Sequence, residues 1–277
     1  MRTAMTFVLW CVVLVGSVVG LGAAWSATHI QSESGFVELV GALGTDEELQ
    51  QAAADATGAA FVTQVTMPSA VKPRVQSIVS EAVTRLTSAD EFEDAWRATA
   101  RRTHRELFDT SPTPTTVRVD VAPLLTAALD DITAGLPITL PTPDSLFVTV
   151  SDEDPTRAVE WSARSATIAV VSIGAAAVAA LLGLVTARRR STTVAAYGLA
   201  LLLAAGFWWV AGDRGLPRLA DRGTPEERAL NELLADRIAQ SIHEMAAVVA
   251  VAGAVLLVVG LVSRLIRGGR RQDPSPA

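Results

Sequence analysis

Four uncharged apolar blocks decide what this chain can become: Thr3 to Thr28, Ser165 to Ala187, Ser191 to Gly212 and Met245 to Ser263. Each reaches the roughly 18 to 20 residues that carry a helix across a bilayer core. Hydrocarbon cannot hydrogen-bond a bare backbone, so such segments are stable there only as helices whose amides pair internally. Half of the 277 residues are hydrophobic and 19% are charged, and their concentration into blocks excludes a soluble enzyme and a disordered chain. The formal net charge is -6 and no basic patch tracks a phosphate backbone, which excludes nucleic acid as a partner.

Orientation follows from the arginines that flank the blocks. Arg2 precedes the first, Arg188, Arg189 and Arg190 join the second to the third, and Arg264, Arg267, Arg270 and Arg271 follow the fourth. Short basic loops stay in the cytoplasm, so both termini are expected inside and the membrane bound is the plasma membrane. From Ala27 to Ala163 there are 21 acidic and 9 basic residues, a net charge of -12, as an outer segment would carry. Trp25, Trp161, Trp208 and Trp209 fall at the expected outer boundary, and Trp10 and Tyr197 near the inner one, where amphipathic rings sit at headgroup level. The first block, 26 residues long, exceeds the 7 to 15 residues of a secretory signal core and is read as an uncleaved signal anchor. Cys11 is the single cysteine, so no intramolecular disulfide supports the outer domain.

These readings divide the chain into a first span over 1–28, an extracytoplasmic domain over 29–162, a second span over 163–187 and a cytoplasmic turn over 188–192. A third span over 193–212, an outer loop and helical stalk over 213–243, a fourth span over 244–263 and a cytoplasmic tail over 264–277 complete it. The expected fold class is mainly α: a four-helix transmembrane bundle with a mostly helical extracytoplasmic domain carrying a minor two-stranded element.

Within the outer domain, Thr45 with Glu48, and Ser88 with Glu91, have capping-box spacing and predict two helix starts. Val75, Ile78, Val79, Val83 and Leu86 recur at three and four residues and describe one helical face after Pro73. The strongest amphipathic helix follows Ser88, with Phe92, Trp96, Ala100, Thr103, Leu107 and Phe108 on one side. Val117, Val119 and Val121 alternate with polar residues as a strand would, Ala122 to about Leu136 reads as a helix, and Leu146 to Val150 is the expected partner strand. Farther on, Thr224, Pro225, Glu226 and Glu227 form a helix start with no breaker before the fourth block, so one helix is expected to run from the stalk into the membrane.

No constellation completes a catalytic motif, and no cofactor or metal is expected. His243 and Glu244 begin like a zinc-protease helix, but Ala247 stands where the second histidine belongs. Ser69 and Lys72 match a serine-lysine spacing, yet with no second lysine the remaining element of that enzyme group cannot exist. The distinctive local feature is the helix that carries Trp96, Arg101, His104 and Arg105, which are the candidate partner-binding residues. Aromatic residues at helical spacing more often face a core, and that reading of Trp96 and His104 outweighs ligand contact. Arg101, Arg102 and Arg105 read first as a solvated face pairing with Glu106 and Asp109, and second as a site for an anionic envelope polymer or lipid headgroup. Blocks two to four hold no charged or histidine residue, which argues against an ion-coupled carrier. Gly16 with Gly20, and Gly174 with Ala177 and Ala180, are spaced as small-residue packing faces.

Phe92, Trp96, His104 and Leu107, then Val119, Asp120, Pro123, Leu124 and Leu125, in this order of spans, resemble a group of uncharacterised actinobacterial four-span integral membrane proteins with a helical extracytoplasmic domain. The resemblance covers about the first two thirds of the chain and implies location and architecture, since the group brings no established activity. The expected function is that of a non-enzymatic multi-pass protein of the cell envelope. Its outer domain would bind an envelope protein, a cell-wall component or membrane lipid. The alternative is a permease-like subunit: one span, a large outer domain and three spans is similar to the mechanotransmission class of ABC transporter permeases. Against it, the inner connection from Ala187 to Thr193 is too short for a coupling helix that would engage an ATPase. An inward-signalling sensor lacks any output domain beyond the arginine tail.

Overall fold

The computed structural model describes residues 2–133, 142–151, 154–187, 189–220 and 225–269. The chain forms two compact units, one of Met1–Ala27, Arg164–Asp221 and Ala235–Ala277 and one of Thr28–Ala163 and Arg222–Leu234. The described residues are mainly helical, with one two-stranded sheet.

The first unit holds α1 (Arg2–Ser26), α8 (Arg190–Ala220) and the greater part of α7 (Thr156–Thr186) and α9 (Pro225–Gly269). Four stretches are long and apolar enough to cross a membrane: Ala4–Gln31, which runs from α1 through the turn after it, Thr156–Thr186, Arg190–Gly215 and Ala235–Ile266. Small residues set how closely they pack. A Cβ added to Gly16 of α1 would lie 2.9 Å from the Ser172 carbonyl oxygen of α7, and one added to Gly253 of α9 would lie 2.9 Å from the Gly198 carbonyl oxygen of α8. Backbones therefore meet directly, as small-residue interfaces allow. Two indoles tie α1 to α8 in opposite directions: Trp10 Nε1 donates to the Ala196 carbonyl at 2.8 Å, and Trp208 Nε1 donates to the Val18 carbonyl at 2.9 Å. Each bond satisfies an indole N–H that would otherwise be stranded among apolar side chains. Trp25 Nε1 likewise donates to Ser241 Oγ.

The outward faces of this unit are apolar. Val170, Leu181, Val248 and Leu265 are 73%, 63%, 72% and 74% exposed, and many valines and leucines beside them are open too. The stripe of Gly174, Ala177 and Ala180 differs in part from expectation: Ala180 packs against the cluster of Val13, Ala179, Tyr197 and Ala200, but Gly174 and Ala177 are exposed, and Gly174 has no neighbour where a Cβ would stand. Ala169, Ala176 and Ala179 form the buried side of α7 instead, because a helix that packs on one side turns inward only one of the available small-residue faces.

The second unit begins with a π-helical turn (Ala27–Gln31) and α2 (Glu33–Gly41), which the sequence reading did not assign. A 3₁₀ turn (Ala42–Thr45) leads to α3 (Glu47–Gln64), then α4 (Lys72–Leu86), α5 (Glu91–Phe108), β1 (Val117–Asp120), α6 (Ala122–Thr133) and β2 (Phe147–Ser151). The strands pair antiparallel, Asp120 opposite Phe147 and Val119 opposite Val148, with an irregularity between Val117 and Arg118. One core joins α3 to α6 and the sheet, with Val83, Leu86, Leu124, Leu125 and Leu146 almost wholly enclosed. Full burial of such a side chain is worth about 2 kcal/mol relative to exposure.

Two expected caps are corrected. At α3 the cap is Asp46, whose carboxylate accepts from the Leu49 amide at 3.0 Å, while Thr45 donates back to the Ala42 carbonyl. Asp46 also suits the site because a carboxylate complements the positive end of the helix dipole. At α5 the cap position is Asp90, without a side-chain bond, and Ser88 belongs to the turn after α4. α8 continues past Gly212 to Ala220, and α9 runs unbroken for 45 residues, so the stalk and the fourth apolar block are one helix. The cap expected at Thr224, the end of α6 expected at Leu136, and Arg188, Arg270 and Arg271 lie outside the described residues.

Candidate functional site

Helix α5 carries all four residues singled out from sequence, and the fold separates them by depth. Trp96 and His104 are buried, Arg101 is half-buried and Arg105 is exposed. Trp96 stacks near Phe92 at 6.1 Å between ring centroids, and its Nε1 donates to the Val40 carbonyl at 3.0 Å. Gly44 sits against the indole so closely that a Cβ there would come within 2.7 Å of the ring. The indole thus locks α5 to α2 and the 3₁₀ turn.

His104 is held by backbone oxygens. Its Nε2 lies 3.2 Å from the Ile30 carbonyl and 3.1 Å from that of Gln31, and its ring stacks on Phe108 at 4.5 Å with Phe36 tilted at 5.3 Å. Carbonyls only accept, so Nε2 carries a proton in this arrangement. Nδ1 has no hydrogen-bond partner among the described residues, and the same holds for the buried Thr99 and Thr103 hydroxyls.

The charged side of α5 is wired differently from the expected solvated face. Arg102 donates through Nη1 to the Asp144 carbonyl at 2.7 Å and reaches Asp120 Oδ2 at 3.4 Å. Glu106 pairs with Arg118 of β1, whose guanidinium also lies 4.5 Å over the Phe147 ring, so an α5 carboxylate clamps the sheet and does not serve Arg101 or Arg105. Arg97 pairs with Glu93 one turn back at 2.6 Å, and Arg105 Nε reaches the Arg101 carbonyl at 3.5 Å.

Asp120 is the buried charge of this unit. Its Oδ1 accepts from the Ala122 amide at 3.1 Å and from the Leu146 amide at 2.9 Å, while Oδ2 faces Arg102. One carboxylate therefore starts α6, fixes the entry to β2 and receives a cation from α5. Two amides and a guanidinium offset the cost of its burial. Among the described residues, no group of three or more His, Cys, Asp or Glu side chains is placed to hold a metal ion. His243 Nε2 lies 3.1 Å from Asp213 Oδ1 and 3.3 Å from the Trp209 carbonyl, with its ring stacked on Trp209 at 4.5 Å, so its contacts are those of a helix-packing residue.

A concave site absent from the sequence reading lies between α3 and α4. Thr45, Glu47, Gln50, Gln51, Thr84, Thr87 and Ser88 line a cavity of about 520 Å³. Only one of the seven is formally charged. The signal was hidden because the lining joins the start of one helix to the end of another, about forty residues apart in sequence.

By its fold the chain is a mainly helical protein with, among the described residues, four helices long and apolar enough to cross a membrane. No protein family, curated protein or solved structure matches it.

Proposed function

We propose that the chain is a multi-pass plasma-membrane protein of the cell envelope, with both termini cytoplasmic and residues 29–162 outside. In this reading the outer domain is a non-enzymatic binding module for an envelope protein, a wall component or lipid. The observation that carries the membrane part is the belt of open valine and leucine side chains on α1, α7, α8 and α9. Contiguous apolar surface of that extent needs an apolar solvent. The arginine clusters before the first block, between the second and third, and after the fourth supply the orientation. Binding by the outer domain is supported by its net charge of -12 over 27–163 and by the cavity between α3 and α4.

The test is an in-cell photocrosslink from Arg101, half-buried on α5, followed by mass spectrometry of what is captured. Recovery of one defined envelope component is the expected result. Capture of nothing beyond the chain's own segments contradicts the binding role and leaves α5 a packing element.

A further inference from the structure

Helix α5 meets the end of an apolar stretch. His104 Nε2 lies 3.2 Å from the Ile30 carbonyl and 3.1 Å from that of Gln31, and Gln31 Nε2 donates to the Ala163 carbonyl at 3.3 Å. These contacts all lie within the second unit. They bring three elements to one level: α5, the π-helical turn that ends the stretch Ala4–Gln31, and the early turns of α7. The stretch has 28 residues, about 42 Å at 1.5 Å each, which matches the roughly 40 to 45 Å of a bilayer with its headgroups. With that stretch across the membrane, Ile30 and Gln31 stand at the outer headgroups. Trp161, two residues before Ala163, is 52% exposed, as an indole at a membrane boundary is.

Two arginines beside His104 have no acid to answer them. Arg97, Arg101 and Arg105 follow one another at four-residue spacing along one row of α5. Arg97 is paired with Glu93, and Arg102, off that row, with Asp120. Arg101 and Arg105 form no ion pair among the described residues, although Asp109 stands four residues beyond Arg105 and the segment 27–163 carries a net charge of -12. Arg105 uses Nε on the Arg101 carbonyl, which leaves its two terminal nitrogens unbonded among the described residues. Arg101 lies three residues and Arg105 one residue from His104, at most about 4.5 Å along the helix axis. That is less than the roughly 5 to 7 Å depth of one headgroup layer. A guanidinium offers a planar fork of donors that fits a phosphate in two bonds.

We infer that Arg101 and Arg105 dock α5 on the phosphate groups of anionic lipid in the outer leaflet of the membrane that holds the spans. The inference rests on the proposed function and narrows the partner of this face to lipid. Two observations from different elements carry it: unanswered cations on α5, and the tie through His104 and Gln31 that sets them at headgroup level. At that level phosphates are the anions already present, and each arginine held near an anionic surface strengthens attachment about fivefold.

The experiment uses the full chain in phosphatidylcholine nanodiscs doped with phosphatidylglycerol that carries a diazirine on its headgroup. After illumination and a digestion that spares arginine, mass spectrometry maps the labelled residues. Arg264 and Arg267 are unchanged in every variant, and labelling around them normalises the signal. Labelling of 97–108 is expected to exceed that from a phosphatidylcholine with the same diazirine by at least about threefold. The double variant R101Q/R105Q is expected to lower it about tenfold, the loss of two near-surface cations. R97Q, an equal charge change at a guanidinium already paired with Glu93, leaves it within about twofold. Circular dichroism of both variants verifies the fold. No excess of phosphatidylglycerol labelling on α5, full labelling of R101Q/R105Q, or an equal loss in R97Q would each overturn the inference, the last by showing diffuse attraction. Displacement of the label by excess inorganic phosphate would overturn it too, by making the site one for a soluble anion. If any of these occurs while the Arg101 crosslink in cells captures an envelope protein or wall component, the binding role stands and only the lipid surface falls.

Discussion

Asp120 and Thr99 show how burial turns one side chain into a support and another into a burden. Removing the Asp120 carboxylate strands the Ala122 and Leu146 amides and leaves Arg102 only the Asp144 carbonyl. D120A is therefore expected to lower the stability of the second unit by about 3 kcal/mol, read by thermal denaturation in detergent; a loss below about 1 kcal/mol would contradict its role as a junction. The Thr99 hydroxyl makes no bond among the described residues though it is only 2% exposed. T99V keeps the shape and removes an unmatched polar atom, so it is expected to stabilise by about 1 kcal/mol in the same assay, and destabilisation would reveal a hidden partner. Asp154 works by local geometry. The Thr156 hydroxyl and then the Thr156 amide donate to its carboxylate, with Arg157 nearby, and hold its pKa below the ordinary 3.8. The carboxylate form is the one favoured on folding, so its support for the start of α7 is present above that ordinary value. It is lost as pH falls through the lower folded one. A carbon-13 titration of Asp154 should show a midpoint below 3.8, and a midpoint at or above it would mean the turn does not form. None of these roles was legible beforehand: the sequence places Asp120 in an alternating strand and among the residues of the family resemblance, and partners 18 and 26 residues away decide what it does.

Among the elements, the long apolar helices were legible from the length of their uncharged blocks, and the α5 face from a period that tertiary contacts reinforce. The strand near Val117 was legible from its alternation, and the one near Leu146 as its expected partner. Their starts and stops were not. Thr45 and Ser88 have the spacing of caps, but the adjacent aspartates occupy the cap positions, one with a bond and one without. α2 escaped because its nine residues are too few to show a period. Packing faces were half legible: Gly16 and Gly20 meet α7, whereas Gly174 and Ala177 face outward, and composition does not say which small-residue stripe finds a neighbour. The contact of α8 with α9 through Gly198 and Gly253 carries its own prediction. G253L would force a branched side chain against the Gly198 carbonyl and Leu201, and should destabilise the helix pair by about 1 to 3 kcal/mol. Thermal unfolding in detergent is the measurement, and an unchanged midpoint would mean the helices do not approach as described.

For the whole molecule, the account stands on orientation: four spans, the acidic segment outside and the arginine clusters inside. The candidate partner residues illustrate what sequence could and could not place. Trp96 and His104 were read first as core, and they are buried, while the cavity beside Glu47 required the chain to be folded before it existed at all. The single native cysteine makes orientation open to a clean experiment. In a Cys11→Ser background, Glu93→Cys on the exposed side of α5 and Ser275→Cys in the tail are each treated with a membrane-impermeant maleimide on intact and on lysed cells. E93C should label in intact cells, and S275C only after lysis. Labelling of S275C in intact cells, or protection of E93C until lysis, would contradict the proposed topology and everything built on an outer binding domain.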